Sequence, residues 1–139
     1  MDDVRFWSLV AALGPELAPA RLALVLSSLS ASDLGEFCAC LADAEDALDT
    51  TDHRVQADAA FELDGTRVRR LGGTARHEQH SADFRELQVT VVAHGQDAWR
   101  AVVAVPPLLS GGWPTGLGRQ FLLAVADAWR RSVPELRPA

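Results

Sequence analysis

Apolar residues recur three and four apart through most of this chain, a spacing that predicts amphipathic helices rather than strands. Phe6, Leu9, Val10 and Leu13 share a face over residues 2–13. Asp2 and Asp3 sit where a helix dipole favours acids, and Gly14-Pro15 stops the segment. A second helix is predicted over residues 16–29, with Pro19 placed in its first turn. Leu22, Leu24, Val25, Leu26 and Leu29 make it apolar nearly all round, so it is expected to be the most buried element. Ser30-Ala31-Ser32 is a cap signal for a third helix over residues 33–48, where Leu34, Phe37, Leu41, Ala44 and Leu48 draw one narrow stripe.

The pattern thins between Thr50 and His80. A short helix over residues 55–63 followed by a long loop is the preferred reading. The alternative is a hairpin, with Phe61-Glu62-Leu63 and Thr66-Arg67-Val68 flanking a turn at Asp64-Gly65. Over residues 82–94 two periods compete again: Phe84, Leu87, Val91 and His94 fit a helix face, whereas Leu87, Val89 and Val91 fit a strand. Gly95 would close a helix there. A short helix over residues 96–104 ends at Pro106-Pro107, a loop runs through Gly111-Gly112-Trp113-Pro114, and Thr115 is the expected cap of the last helix. That helix turns Leu117, Phe121, Ala124, Val125 and Ala128 inward, with Trp129 at the edge of the stripe. The fold class is therefore mainly α, a compact helical bundle of five to six helices forming a single domain over residues 1–139, with a short β-hairpin as the alternative for its middle region.

Composition narrows the partners. With 48% hydrophobic and 23% charged residues in 139, the chain has an ordinary globular balance and can build a core without disulfide or metal. Its net charge of -6 opposes a nucleic-acid surface, which needs a contiguous basic face. No apolar run approaches the roughly 18 residues of a membrane span, and the acidic Met-Asp-Asp start is unlike a secretory signal. A cytoplasmic protein that uses neither nucleic acid nor membrane is the expectation. Every cation is arginine, as in a GC-rich bacterial genome. Cys38 and Cys40, two apart on a helix, diverge and are expected to be reduced, packed side chains.

Several short patterns carry a resemblance. Phe6-Trp7 opens the first helix, the third ends on Ala47-Leu48-Asp49-Thr50, and an element of Ser81, Asp83 and Phe84 follows downstream. Then come a hydrophobic stretch into Gly95, a helix with Trp99, and Pro107 to Leu109. In that order the chain resembles the DUF4240 family, small bacterial proteins of uncharacterised function, across about half its length. The resemblance implies a mainly helical fold and lends no activity.

Two sets of residues hold candidate chemistry. His77, His80 and Asp83 stand three apart, with His94 further on; two imidazoles and a carboxylate would suit zinc, although an exposed polar loop is the plainer expectation for this stretch. At the end of a helix His94 is expected to cap free carbonyls. No cofactor is expected, zinc being the alternative. The second set is electrostatic. Ten acids and one arginine, Arg54, lie between Asp33 and Asp64, and Arg67, Arg69, Arg70 and Arg76 follow without an acid among them. Asp43, Asp46 and Asp49 repeat every three residues on the third helix, toward the end where negative charge is unfavourable. Trp113, in a Gly-Gly-Trp-Pro loop, is either a lid on the core or an exposed binding anchor. Phosphate-loop and nucleophile-elbow motifs are absent. The expected function is a protein-interaction or regulatory module that binds another protein or a second copy through Asp43, Asp46, Asp49 and Trp113. The alternative is a small enzyme or a ligand- or metal-binding protein using His77, His80, Asp83 and His94. Whether the chain is an enzyme stays open.

Overall fold

The computed structural model describes the backbone of residues 1–64, 73–114 and 116–132, and the side chains of residues 1–58, 82–114 and 116–132. Among them are seven α-helices: α1 (Asp3–Val10), α2 (Pro19–Ser27), α3 (Ala31–Asp46), α4 (Thr51–Asp64), α5 (Gly73–Ala93), α6 (Gln96–Ala104) and α7 (Leu117–Ser132). Short 3-10 turns, Ala11–Leu13 and Pro106–Ser110, follow α1 and α6. The described residues contain no strand.

Local chemistry sets most boundaries. Asp2 caps α1 by accepting from the Arg5 backbone N–H at 2.8 Å, and Ser30 caps α3 by accepting from that of Asp33 at 3.1 Å. Pro19 occupies the first turn of α2, where its missing N–H has no consequence. Gly95, at φ +103, serves two helices: its N–H donates to Val92 O beyond the end of α5, and its carbonyl accepts from Trp99 N in α6. Before α7 the carbonyl of Gly116 accepts from Gln120 N, so Gly116 stands at the N-cap. Thr115, the expected cap, lies outside the described residues.

In the middle of the chain the expected helix over residues 55–63 is present as part of a longer one, and the alternative hairpin is not supported. Helix α4 continues to Asp64, so Phe61-Glu62-Leu63 is helical and does not form the first strand of a hairpin; Thr66, Arg67 and Val68 lie outside the described residues. The stretch around His77 and His80, expected as a loop, is helical from Gly73 onward. Nor is α2 the most buried element: only Leu22 and Leu26 are fully covered on it, and Leu24 is 74% exposed.

That place belongs to the last six residues of α5. Residues 88–93 are buried without a break. A helix covered on every side has no polar face to mark its period, which is why Val89, Val91 and Val92 read equally well as strand. Helix α5 divides two apolar clusters. Val89, Val92 and Ala93 face a larger one holding Phe6, Leu22, Leu26, Leu34, Phe37 and Phe121. Val91 faces a smaller one with Leu48, Ala57, Val102 and Leu109. Trp99 packs against both. Ring contacts run through the larger cluster, Trp7 to Phe6 at 5.0 Å, Phe6 to Phe37 at 5.1 Å and Phe37 to Phe121 at 6.5 Å.

Helices α5 and α7 cross at Gly118. A Cβ there would lie 1.9 Å from Glu86 O and 2.7 Å from Thr90 Oγ1, so only glycine lets the two backbones approach this closely. The Thr90 hydroxyl donates to Glu86 O at 2.8 Å and accepts from Gly118 N at 3.0 Å. One side chain thus satisfies an otherwise unpaired first-turn N–H of α7.

Candidate functional site

Helix α3 ends in a cluster of acids whose members have different fates. Its apolar stripe, Leu34, Phe37, Leu41 and Ala44, is buried, and the same register puts Asp43 and Asp46 in solvent. Neither side chain has a hydrogen-bond or ion-pair partner among the described residues. Asp49, also exposed, accepts two hydrogen bonds from the Arg54 guanidinium, at 2.6 and 3.1 Å. Glu45 points the other way. It is 8% exposed, and Oε1 accepts from Arg85 Nε on α5 at 2.8 Å. Burial raises the proton affinity of Glu45 and the neighbouring Asp46 adds to this, against the opposing pull of Arg85.

The last carbonyls of α3 are closed by side chains from elsewhere. Trp99 Nε1 donates to Ala44 O at 3.0 Å and Gln88 Nε2 to Glu45 O at 3.0 Å. The acidic end is therefore held to α5 and α6 by one ion pair and two neutral hydrogen bonds. Arg67, Arg69 and Arg70 lie outside the described residues, as does the side chain of Arg76.

Directly after α3 comes an arrangement that pattern reading missed. His53 is 1% exposed, with both ring nitrogens engaged. Nε2 lies 2.8 Å from Val102 O, which requires Nε2 to be the donor, and Nδ1 then accepts from the Thr50 hydroxyl at 2.6 Å. Thr50 Oγ1 in turn accepts from His53 N at 3.1 Å, capping α4. One imidazole thus ties the start of α4 to the end of α6. The cap residue Thr50 three places ahead was the available signal, but burial of His53 depends on α6, which is distant in sequence.

The histidine–aspartate set is divided by the fold. His77, His80 and Asp83 fall three apart along α5. The side chains of both histidines are outside the described residues, and Asp83 is buried at 8% exposure and engaged in a contact of its own. His94 lies beyond the far end of the same helix, eleven residues from Asp83 and so about 16 Å along its axis. It does not join the others. Its Nδ1 donates to Thr90 O at 2.7 Å, a capping bond, and its ring meets Trp113 edge-on at 4.9 Å. Among the described residues no group of three or more His, Cys, Asp or Glu converges to hold a metal ion.

Trp113 is half-buried. Its Nε1 donates to Leu108 O at 3.0 Å, and its ring packs against the smaller apolar cluster. Cys38 and Cys40 are free thiols, half-buried against the larger cluster. Burial pushes both thiols up, which suppresses the reactive thiolate. No described helix is long and apolar enough to cross a membrane.

No family model matches the chain, and neither a curated protein nor a solved structure matches it.

Proposed function

We propose that this domain is a protein-interaction or regulatory module whose docking surface is the acidic end of α3. The observation that carries the reading is the exposure of Asp43 and Asp46, neither with a side-chain partner among the described residues, at a helix end where each costs about 0.3–1 kcal/mol against the dipole. The buried stripe of α3 outweighs that cost, at ~1.5–3 kcal/mol per Leu or Phe, so the fold tolerates the acids without needing them. Carboxylates that do not stabilise their own helix are available to a basic partner, another protein or a second copy of the chain. Asp49 contributes at the rim through its Arg54 pair, and the half-buried Trp113 supplies an aromatic anchor. Complementary charge would speed encounter and confer salt sensitivity. The resemblance to the DUF4240 family belongs to the same proposal.

The test is native mass spectrometry of protein purified from its own host, with and without the triple reversal Asp43→Arg, Asp46→Arg and Asp49→Arg. A complex that dissociates as salt rises and is lost in the variant supports the reading. An identical partner and subunit profile in the variant removes it.

The helical course of α5 favours a second reading, because it sets His77 beside His80 and His80 beside Asp83 in one spiralling row. In this reading the domain is a small enzyme or metal-binding protein, with zinc as the ion. Elemental analysis of untagged protein decides it. Stoichiometric zinc that is lost on His80→Ala supports the site, and metal-free protein that takes up no added zinc ends it.

A further inference from the structure

From Ala101 to Gly118 the chain carries no charged residue, the longest such run it has. Val102 and Leu109 of this run are buried in the smaller apolar cluster. The Pro106–Ser110 turn leaves a corner outside it: Val105 is 46% and Leu108 45% exposed, Pro107 and Pro114 are exposed, and Trp113 is half-buried. Hydrogen bonds fix the shape of this corner. Leu108 N donates to Val105 O at 3.0 Å, and Leu108 O accepts from Gly111 N at 3.1 Å and from Trp113 Nε1 at 3.0 Å. His94 meets the Trp113 ring edge-on at 4.9 Å. An apolar surface already ordered in this way loses little further entropy when a partner settles on it. The surroundings of the corner are acidic. The bond between His53 Nε2 and Val102 O, with the packing of α4 against the Pro106–Ser110 turn, brings the start of α4 beside it. Asp49 and Asp52 are exposed at that start. The cation there, Arg54, is taken up by Asp49, and on α6 the exposed Asp97 and Arg100 offset each other.

We infer that the corner over residues 105–114 docks an amphipathic helix whose apolar stripe is bordered by lysine or arginine. Val105, Leu108 and Trp113 form the desolvated centre, with Trp113 as the aromatic anchor, and Asp49 and Asp52 form the charged rim. The described residues contain no strand to extend, so side-chain packing rather than β-pairing holds the partner. Basic residues beside the stripe answer the acids, whereas an acidic occupant is repelled. A second copy placed on this face by two-fold symmetry would bring its own Asp49 and Asp52 up to these, so self-pairing is disfavoured. The inference rests on the interaction-module reading above and deepens it, by naming the apolar half of the surface and the class of partner.

An NMR titration of the isotopically labelled full chain with a synthetic helical peptide of about 15 residues tests it. The peptide carries leucine at helical spacing with lysine on both sides of the stripe, and a second peptide has glutamate in place of every lysine. The lysine peptide should shift the amides of Val105 and Leu108 and the Trp113 indole N–H, with an affinity that falls as salt rises. Leu108→Ser should weaken it by about tenfold or more, whereas Leu123→Ser, at an exposed site on α7, should leave it unchanged. Corner binding that survives Asp43→Arg with Asp46→Arg supports the inference while removing the end of α3 as the docking surface. Shifts confined to the neighbourhood of Asp43 and Asp46 overturn it and leave that surface standing. Equal binding of the glutamate peptide, no response to either peptide, or corner shifts that follow protein concentration alone, the sign of a second copy, also overturn it.

Discussion

Adding a single methyl group at residue 118 should be among the most damaging small changes in this protein. In Gly118→Ala the new Cβ would sit 1.9 Å from Glu86 O, where an ordinary contact needs about 3.4 Å, so α5 and α7 must part by about 1.5 Å. Overpacking of this kind costs roughly 1–3 kcal/mol. The separation also stretches the 3.0 Å bond from Gly118 N to Thr90 Oγ1, and losing a buried donor's partner costs about 1–3 kcal/mol. Against these, alanine gains about 1 kcal/mol of helix propensity. The net expectation is a loss of about 1–5 kcal/mol, a large share of the 5–15 kcal/mol typical of a domain. Gly35→Ala on α3 is the matched control: its Cβ would meet Trp129 at 3.9 Å, an ordinary contact, so propensity alone should act and stability should rise by about 0.5–1 kcal/mol. Urea denaturation followed by circular dichroism measures both. If Gly118→Ala proves as stable as the parent, the close crossing of α5 and α7 is wrong.

Three further outcomes follow from named contacts. His53→Leu should destabilise by about 2 kcal/mol, because the Val102 carbonyl loses its partner in the interior; an unchanged urea midpoint would contradict the bridge between α4 and α6. Ser30→Ala should cost about 1 kcal/mol through the lost cap on α3, and Ser30→Gly only a few tenths, again by urea titration. Glu45 has a raised folded-state proton affinity, so its favourable contribution is complete below 4.5 and is lost as pH rises through its folded value. Relative to Glu45→Gln, the wild type should therefore weaken as pH increases across that window, and a parallel pair of stability–pH curves would refute the sign.

The sequence made the ends of the fold more legible than its middle, for a physical reason. Helices α1, α3, α6 and α7 each meet solvent on one side, so their core residues stand out at helical spacing, and Phe6, Leu34, Phe37, Leu41, Val102 and Phe121 are buried. Helix α5 has no such contrast over residues 88–93, and α2 hides less than its composition suggested because Leu24 faces outward. Gly118 gave no warning, since a glycine near a helix start looks like a turn residue until its neighbour is known. Among the candidate site residues, the register of Asp43 and Asp46 was readable from the α3 stripe, whereas Asp49, expected on the same helix, lies beyond its end at Asp46. The inward turn of Glu45 was not, because it depends on Arg85, forty residues away, reaching across from α5. His94 was expected as a capping histidine and is one, at Thr90 O.

The fold depends on α5 as a helix enclosed by its neighbours over residues 88–93, because it positions Arg85, Gln88 and Thr90 and separates the two apolar clusters. Native-state hydrogen exchange resolved by residue tests that most directly. The amides of residues 88–93 should exchange slowest in the chain, at rates governed by global unfolding. Exchange there as fast as in the short helix α1, or cross-strand contacts between residues 87 and 92 and another segment, would contradict it.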